Sequence, residues 1–160
     1  MELRKIKNKG MIREGMEGKS VAFLAGCVLG EELYFSSWLS KGLFKMDLRT
    51  GKCFPLAGLK NELADSFLHD QMFYFNNEIW VMPTYQGQNI VRVNLKTLES
   101  FYIALPERGI KIQDSKKTLL KQYKSCYELG RSICWLVPLD GRIMLKVDLL
   151  QGRVYEVKDQ

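Results

Sequence analysis

Phe44-Lys45-Met46-Asp47-Leu48, Val91-Arg92-Val93-Asn94-Leu95 and Leu145-Lys146-Val147-Asp148-Leu149 are three copies of one phrase. Each runs apolar, basic, apolar, Asp or Asn, Leu. The alternation is that of a strand, in which successive side chains point to opposite faces. The Asp or Asn ends the strand, because its side-chain oxygen accepts a hydrogen bond from a backbone amide two residues on and starts a turn. Gly51 and Gly152 follow four residues later and supply the positive φ such a turn needs, whereas Leu98 stands at the matching place in the second copy. The second turn is therefore expected to differ in type.

Working outward, each phrase is the third strand of a four-stranded antiparallel meander. In the first unit the strands are expected over 21–28, 33–36, 43–48 and 53–56. In the second they fall at 71–75, 78–82, 90–95 and 99–105, with Asn76-Asn77 as a two-residue hairpin turn. In the third they fall at 124–129, 132–137, 142–149 and 153–158. Tyr34, Trp80 and Trp135 align within the second strands, with Ser37, Pro83 and Pro138 three residues later. The Asp/Asn positions recur after 47 and then 54 residues, a period that points to a propeller or solenoid unit. Such a sheet cannot bury two apolar faces alone and has to stack on copies of itself. The aligned aromatics are expected to pack between sheets, and Lys45, Arg92 and Lys146 to lie on solvated strand faces.

The pattern apolar-Tyr/Trp-apolar, then Gly, then apolar-basic-apolar-Asp-Leu-x-Thr-Gly-Lys resembles the generic blade of the β-propeller superfamily, of the Kelch-like and six- to eight-bladed bacterial kinds. The resemblance covers roughly residues 20–158. It lacks the paired glycines of Kelch repeats and the Gly-His and Trp-Asp dipeptides of WD repeats, so no subfamily is assigned. It implies an all-β fold of three four-stranded antiparallel blades within a single domain, 1–160. The divisions are an N-terminal basic segment (1–19), blade 1 (20–60), blade 2 (67–106), a long basic connection (107–123) and blade 3 (124–158). Propellers use about four to eight blades. Three would leave two open faces, so the chain is expected to be half of a six-bladed ring closed by dimerisation, since Met1 starts it and the last strand finishes its blade. Membership of a longer protein, or an open arc covered by a partner, are the alternatives.

Composition fits this. An apolar fraction of 46% with 26% charged residues is that of an ordinary globular protein. The net charge of +6 permits an anionic partner but speaks to solubility more than to function. The charged N-terminus lacks the apolar core of a signal peptide, and the longest apolar runs are of strand size, so the chain is expected to be cytoplasmic with no membrane association. Cys27, Cys53, Cys126 and Cys134 show no zinc spacing; Cys126 and Cys134 flank Gly130-Arg131 and are expected to face each other across a hairpin as packed thiols, with a disulfide as the alternative.

No phosphate loop, catalytic Ser or Cys motif or carboxylate cluster is present in the sequence, so no catalytic residue, metal or cofactor is assigned. The ligand-binding candidates are Trp38, His69, Asp70, Tyr85 and Gln86, which stand in or beside connections where the repeats differ. The leading expectation is a non-enzymatic binding or protein-interaction module acting as a homodimer, with an unknown small molecule or protein as partner. The second is an enzyme completed by oligomerisation, acting on a carbohydrate or similar polar small molecule. The third, a polyanion or nucleic-acid binder, rests on charge and the lysine-rich segment 107–121 alone; nucleic acid is the weakest of the three partners.

Overall fold

The computed structural model describes residues 23–37, 42–58, 69–83, 89–106, 123–138 and 143–157. These form twelve strands in three four-stranded antiparallel sheets, with no helix among the described residues. Sheet 1 contains β1 (Phe23–Leu29), β2 (Glu32–Ser37), β3 (Gly42–Asp47) and β4 (Cys53–Gly58). Sheet 2 contains β5 (His69–Phe75), β6 (Glu78–Pro83), β7 (Asn89–Asn94) and β8 (Ser100–Ala104). Sheet 3 contains β9 (Tyr123–Tyr127), β10 (Ile133–Pro138), β11 (Leu145–Asp148) and β12 (Arg153–Glu156). Each sheet keeps the strand order of the chain. The N-terminal basic segment (1–19) and residues 107–122 of the long basic connection lie outside the described residues.

The turn after each third strand is the same in all three sheets. Asp47 Oδ1 accepts from the amides of Arg49 (2.8 Å) and Thr50 (3.0 Å). Asn94 Oδ1 accepts from Lys96 (2.9 Å) and Thr97 (3.1 Å), and Asp148 Oδ1 from Leu150 (3.0 Å) and Gln151 (2.9 Å). Gly51, Leu98 and Gly152 then donate their amides to the carbonyls of Asp47, Asn94 and Asp148 at 2.8, 2.8 and 2.9 Å. Leu98 holds φ at +60°, against +70° and +64° for the glycines. The expectation of a different second turn is thus corrected: hydrogen bonds from both ends impose the left-handed conformation on a leucine. Asn76 and Asn77 both take positive φ, as a two-residue hairpin turn requires.

Alternation along the strands gives each sheet two faces. Ala25, Tyr34 and Leu43 on one face of sheet 1 pack against Met72, Ile79, Val81, Val91 and Val93 of sheet 2. The opposite face of sheet 2, with Phe73, Trp80, Met82 and Ile90, packs against Cys134, Leu136, Leu145 and Val147 of sheet 3. The face a sheet turns to its successor is called its forward face here, the other its reverse face. The first strands of successive sheets are neighbours: β1 lies beside β5 and β5 beside β9. Gln71 on β5 ties the second junction, its Oε1 accepting from the amide and hydroxyl of Ser125 on β9. On the reverse face of sheet 1, Phe35, Phe44, Met46 and Cys53 form a separate buried cluster that no described residue of sheets 2 or 3 joins.

Candidate functional site

Connection lengths divide the molecule into two rims. At one rim every connection is short: Gly30-Glu31, Asn76-Asn77, 128–132 and the three Asp/Asn turns. At the other rim β1, β3, β5, β7, β9 and β11 begin and the even strands end, so all the longer connections leave from it. Short turns there are tied up in holding the strands together, which leaves the long-connection rim free to vary.

Two of the sequence candidates, His69 and Asp70, stand at that rim, at the start of β5. His69 pairs with Pro83, and Asp70 is the extra residue of a bulge before Gln71 pairs with Met82. Both therefore lie within β5, two residues earlier than the strand expected from sequence, and their side chains lie outside the described residues. The same applies to the whole of Trp38, which follows the end of β2, and of Tyr85 and Gln86, which separate β6 from β7. A matching bulge in β1 lies between Phe23 and Ala25. Bulges of this kind re-aim side chains and are common beside functional sites. Among the described residues no three His, Cys, Asp or Glu side chains cluster as a metal site would need.

The forward faces carry a second constellation. Tyr34 and Phe54 flank Lys45 in the strand register, Trp80 and Phe101 flank Arg92, and Trp135 and Tyr155 flank Lys146. Each sheet thus repeats an aromatic–base–aromatic row across its second, third and fourth strands. The fourth-strand aromatics escaped sequence reasoning, although a constant spacing of nine residues after each base announces them.

All three bases are half-buried, and Lys45 and Arg92 are also engaged, which corrects their expected place on solvated faces. Lys45 Nζ lies 2.6 Å from Glu32 Oε1, while Tyr34 donates its hydroxyl to Glu32 Oε2 at 2.5 Å. The Lys45 ammonium first, and the Tyr34 hydroxyl second, hold the Glu32 carboxyl below the usual carboxylate range. Burial, then the bond to Glu32, pushes the Tyr34 phenol upward. Arg92 lies 3.7 Å from Glu78, with its guanidinium carbon 4.9 Å from the Phe101 ring centre and 5.8 Å from that of Trp80. Sheet 3 differs, because Ile133 occupies the position of Glu32 and Glu78 opposite the turn residue.

The three rows also differ in what covers them. Tyr34 is 4% exposed and Trp80 0%, each beneath the next sheet, as expected for aromatics packed between sheets. Trp135 is 36% exposed, because no described sheet follows sheet 3, whereas the fourth-strand aromatics Phe54, Phe101 and Tyr155 are about equally exposed in all three sheets. Beside Trp135 a cleft of about 740 Å³ is lined by Ser125, Cys126, Tyr127, Glu128, Arg131 and Ile133 among others.

The thiols follow the faces. Cys134 pairs with Tyr127, and Cys126 with Trp135, so the two cysteines sit on opposite faces of their hairpin. The expected face-to-face pair of packed thiols is corrected: Cys134 is buried and Cys126 exposed, and all four cysteines are free. Burial pushes the Cys134 thiol up to about 12 and that of Cys27 up to about 11, which makes both poor nucleophiles.

No family model matches the chain, and no curated protein matches it. Solved structures do. One is the extracellular domain of a B. thetaiotaomicron protein described as a one-component system, with a TM-score of 0.55 and 15% identity. The match covers 84% of this chain but 17% of that one, so this chain spans about a sixth of its neighbour's length. At that identity the likeness is one of fold.

Proposed function

We propose that the chain is a non-catalytic β-propeller binding module, and that two copies close a ring of six sheets. Radial stacking of four-stranded meanders around their first strands is how propellers are built, and the adjacency of β1, β5 and β9 supports that reading. The observation that carries it is the third aromatic–base–aromatic row. The second-strand aromatics of its two counterparts, Tyr34 and Trp80, are sealed beneath the next sheet, while Trp135 is partly open to solvent. An apolar sheet face left open is an association surface.

Ligand binding is assigned to the long-connection rim, with Trp38, His69, Asp70, Tyr85 and Gln86 as the contributing residues and a polar small molecule or a protein segment as ligand. The free thiols fit a reducing compartment, and a cytoplasmic location is proposed on that basis.

Size-exclusion chromatography with light scattering tests the ring. The expected mass is twice the 18.5 kDa of the chain. A species of 18.5 kDa at every concentration examined removes the two-copy ring.

A further inference from the structure

Two of the three rows supply their base with its own acid, and the third does not. Glu32 begins β2 and Glu78 begins β6, each two residues before the aromatic of its row and so on the same face. Glu32 lies 2.6 Å from Lys45, and Glu78 3.7 Å from Arg92. In sheet 3 the position holds Ile133, and none of the ion pairs among the described residues includes Lys146. The fourth-strand residue opposite the turn residue changes as well, from Lys52 and Glu99 to an exposed Arg153. The four positions balance in sheet 1 (Glu32, Lys45, Asp47, Lys52). In sheet 2 they carry one net negative charge (Glu78, Arg92, Asn94, Glu99), and in sheet 3 one net positive charge (Ile133, Lys146, Asp148, Arg153).

A sheet stacked in front does not close this part of a row. Lys45 and Arg92 keep 32% and 26% of their side chains exposed although a sheet follows each of them. The fourth-strand aromatics are open to the same degree in covered and uncovered rows. Lys146, Arg153 and Tyr155 therefore stay accessible whether or not a second copy follows sheet 3. Tyr155 is held in place, its hydroxyl donating to Gln151 Oε1 at 2.9 Å.

We propose that Lys146 and Arg153, flanked in the register by Ile133 and Tyr155, receive a carboxylate side chain from an acidic segment of a partner protein, in the role that Glu32 and Glu78 play within the chain. Charge complementarity commits the occupant. A half-buried ammonium that lacks the counter-charge of its two counterparts gains a charge-assisted hydrogen bond from a carboxylate. Ile133 and Tyr155 beside it favour a carboxylate borne on a peptide with apolar neighbours over a hydrated inorganic anion. The inference goes beyond the two-copy reading and does not depend on it.

The test uses the full chain and a labelled, end-blocked peptide in which glutamates alternate with leucines, followed by fluorescence anisotropy beside its glutamine counterpart. The glutamate peptide alone is expected to bind, and more weakly as salt is raised. Lys146→Gln is expected to weaken binding about tenfold, the worth of one charge-assisted hydrogen bond. Ile133→Glu, which returns the internal acid, is expected to weaken it as much, whereas Lys45→Gln in the row that has its own acid leaves it unchanged. No binding, equal binding of the glutamine peptide, or an affinity that survives Lys146→Gln overturns the proposal, as does an equal loss in Lys45→Gln. Displacement of the peptide by an equal concentration of N-acetylglutamate assigns a free carboxylate and overturns the protein partner. Should Ile133→Glu misfold by circular dichroism, Arg153→Gln takes its place with the same expected direction, and unchanged affinity there overturns the paired cations. Light scattering keeps the two readings apart. A doubled wild-type mass that Lys146→Gln halves names a second copy as the source of the carboxylate and overturns the partner, whereas a wild-type chain of 18.5 kDa that binds the peptide removes the ring and supports the site.

Discussion

Replacing Gly152 with alanine probes the junction between sheets 2 and 3 at one atom. Gly152 sits at φ +64°, and a Cβ built there would lie 3.1 Å from a terminal nitrogen of Arg92 and 3.5 Å from its guanidinium carbon. Two costs separate. An L-residue in the left-handed region costs about 1–2 kcal/mol, offset by about 0.4–1 kcal/mol from the reduced freedom of the unfolded chain. Gly30 measures that part by itself, for it has φ +60° and nothing within 4 Å of its Cβ position. Gly30→Ala should therefore cost about 1 kcal/mol or less.

Gly152→Ala carries the same strain and also displaces the guanidinium from its place over Phe101 and Trp80. A partly exposed cation–π contact contributes about 0.5–1 kcal/mol, so Gly152→Ala should cost about 1 kcal/mol more than Gly30→Ala. Urea unfolding followed by tryptophan fluorescence and circular dichroism gives both values. The added cost should vanish in an Arg92→Ala background, where no guanidinium is left to move. Equal costs for the two alanines, or a difference that persists without Arg92, would refute the packing described for this junction.

Two further outcomes are expected. Trp80→Ala should cost about 3–5 kcal/mol, as large-to-small changes in a sealed core do, while Trp135→Ala at the matching repeat position should leave the stability of the single chain nearly unchanged; equal losses in urea unfolding at dilution would contradict the difference in cover. Stability should also fall in acid through Glu32 and Asp47, whose carboxyls are held low, the first by Lys45 and Tyr34 and the second by the amides of Thr50 and Arg49. A depressed folded-state pKa contributes stability that is present above the unfolded value of about 4 and is lost as pH falls through the folded value. Urea midpoints between pH 6 and pH 3 should drop less in Glu32→Gln, and Asn94→Ala, which removes an equivalent but uncharged acceptor, should leave the pH dependence unchanged; a wild-type-like acid slope in Glu32→Gln would contradict this.

Much of the fold was legible because strand alternation and turn chemistry are local. The phrase Phe44–Leu48 and its two copies located the third strands, the Asx turns and the division into three units, and the aligned Tyr34 and Trp80 marked the faces between sheets. Register was less legible. Cys126 and Cys134 lie symmetrically about Gly130, but the strands pair one residue away from that symmetry, and a one-residue shift moves a side chain to the other face. The second turn was misjudged because leucine disfavours positive φ, and the hydrogen bonds anchored on Asn94 outweigh that preference. For the candidate site, sequence placed His69 and Asp70 ahead of their strand, whereas β5 already includes them, with a bulge at Asp70. The aromatic–base–aromatic rows depend on three strands lying side by side, so only the fourth-strand spacing hinted at them.

Sequence alone determined the number of strands, their order and which residues of one strand share a face, since each follows from neighbours along the chain. It could not decide the fate of those faces. Trp80 and Trp135 occupy the same place in the repeat, yet one is sealed and the other open, because burial depends on what lies across the sheet rather than along it. Only the tertiary structure, by stacking three sheets and leaving Trp135 uncovered, separated an aromatic of the core from one on an open face.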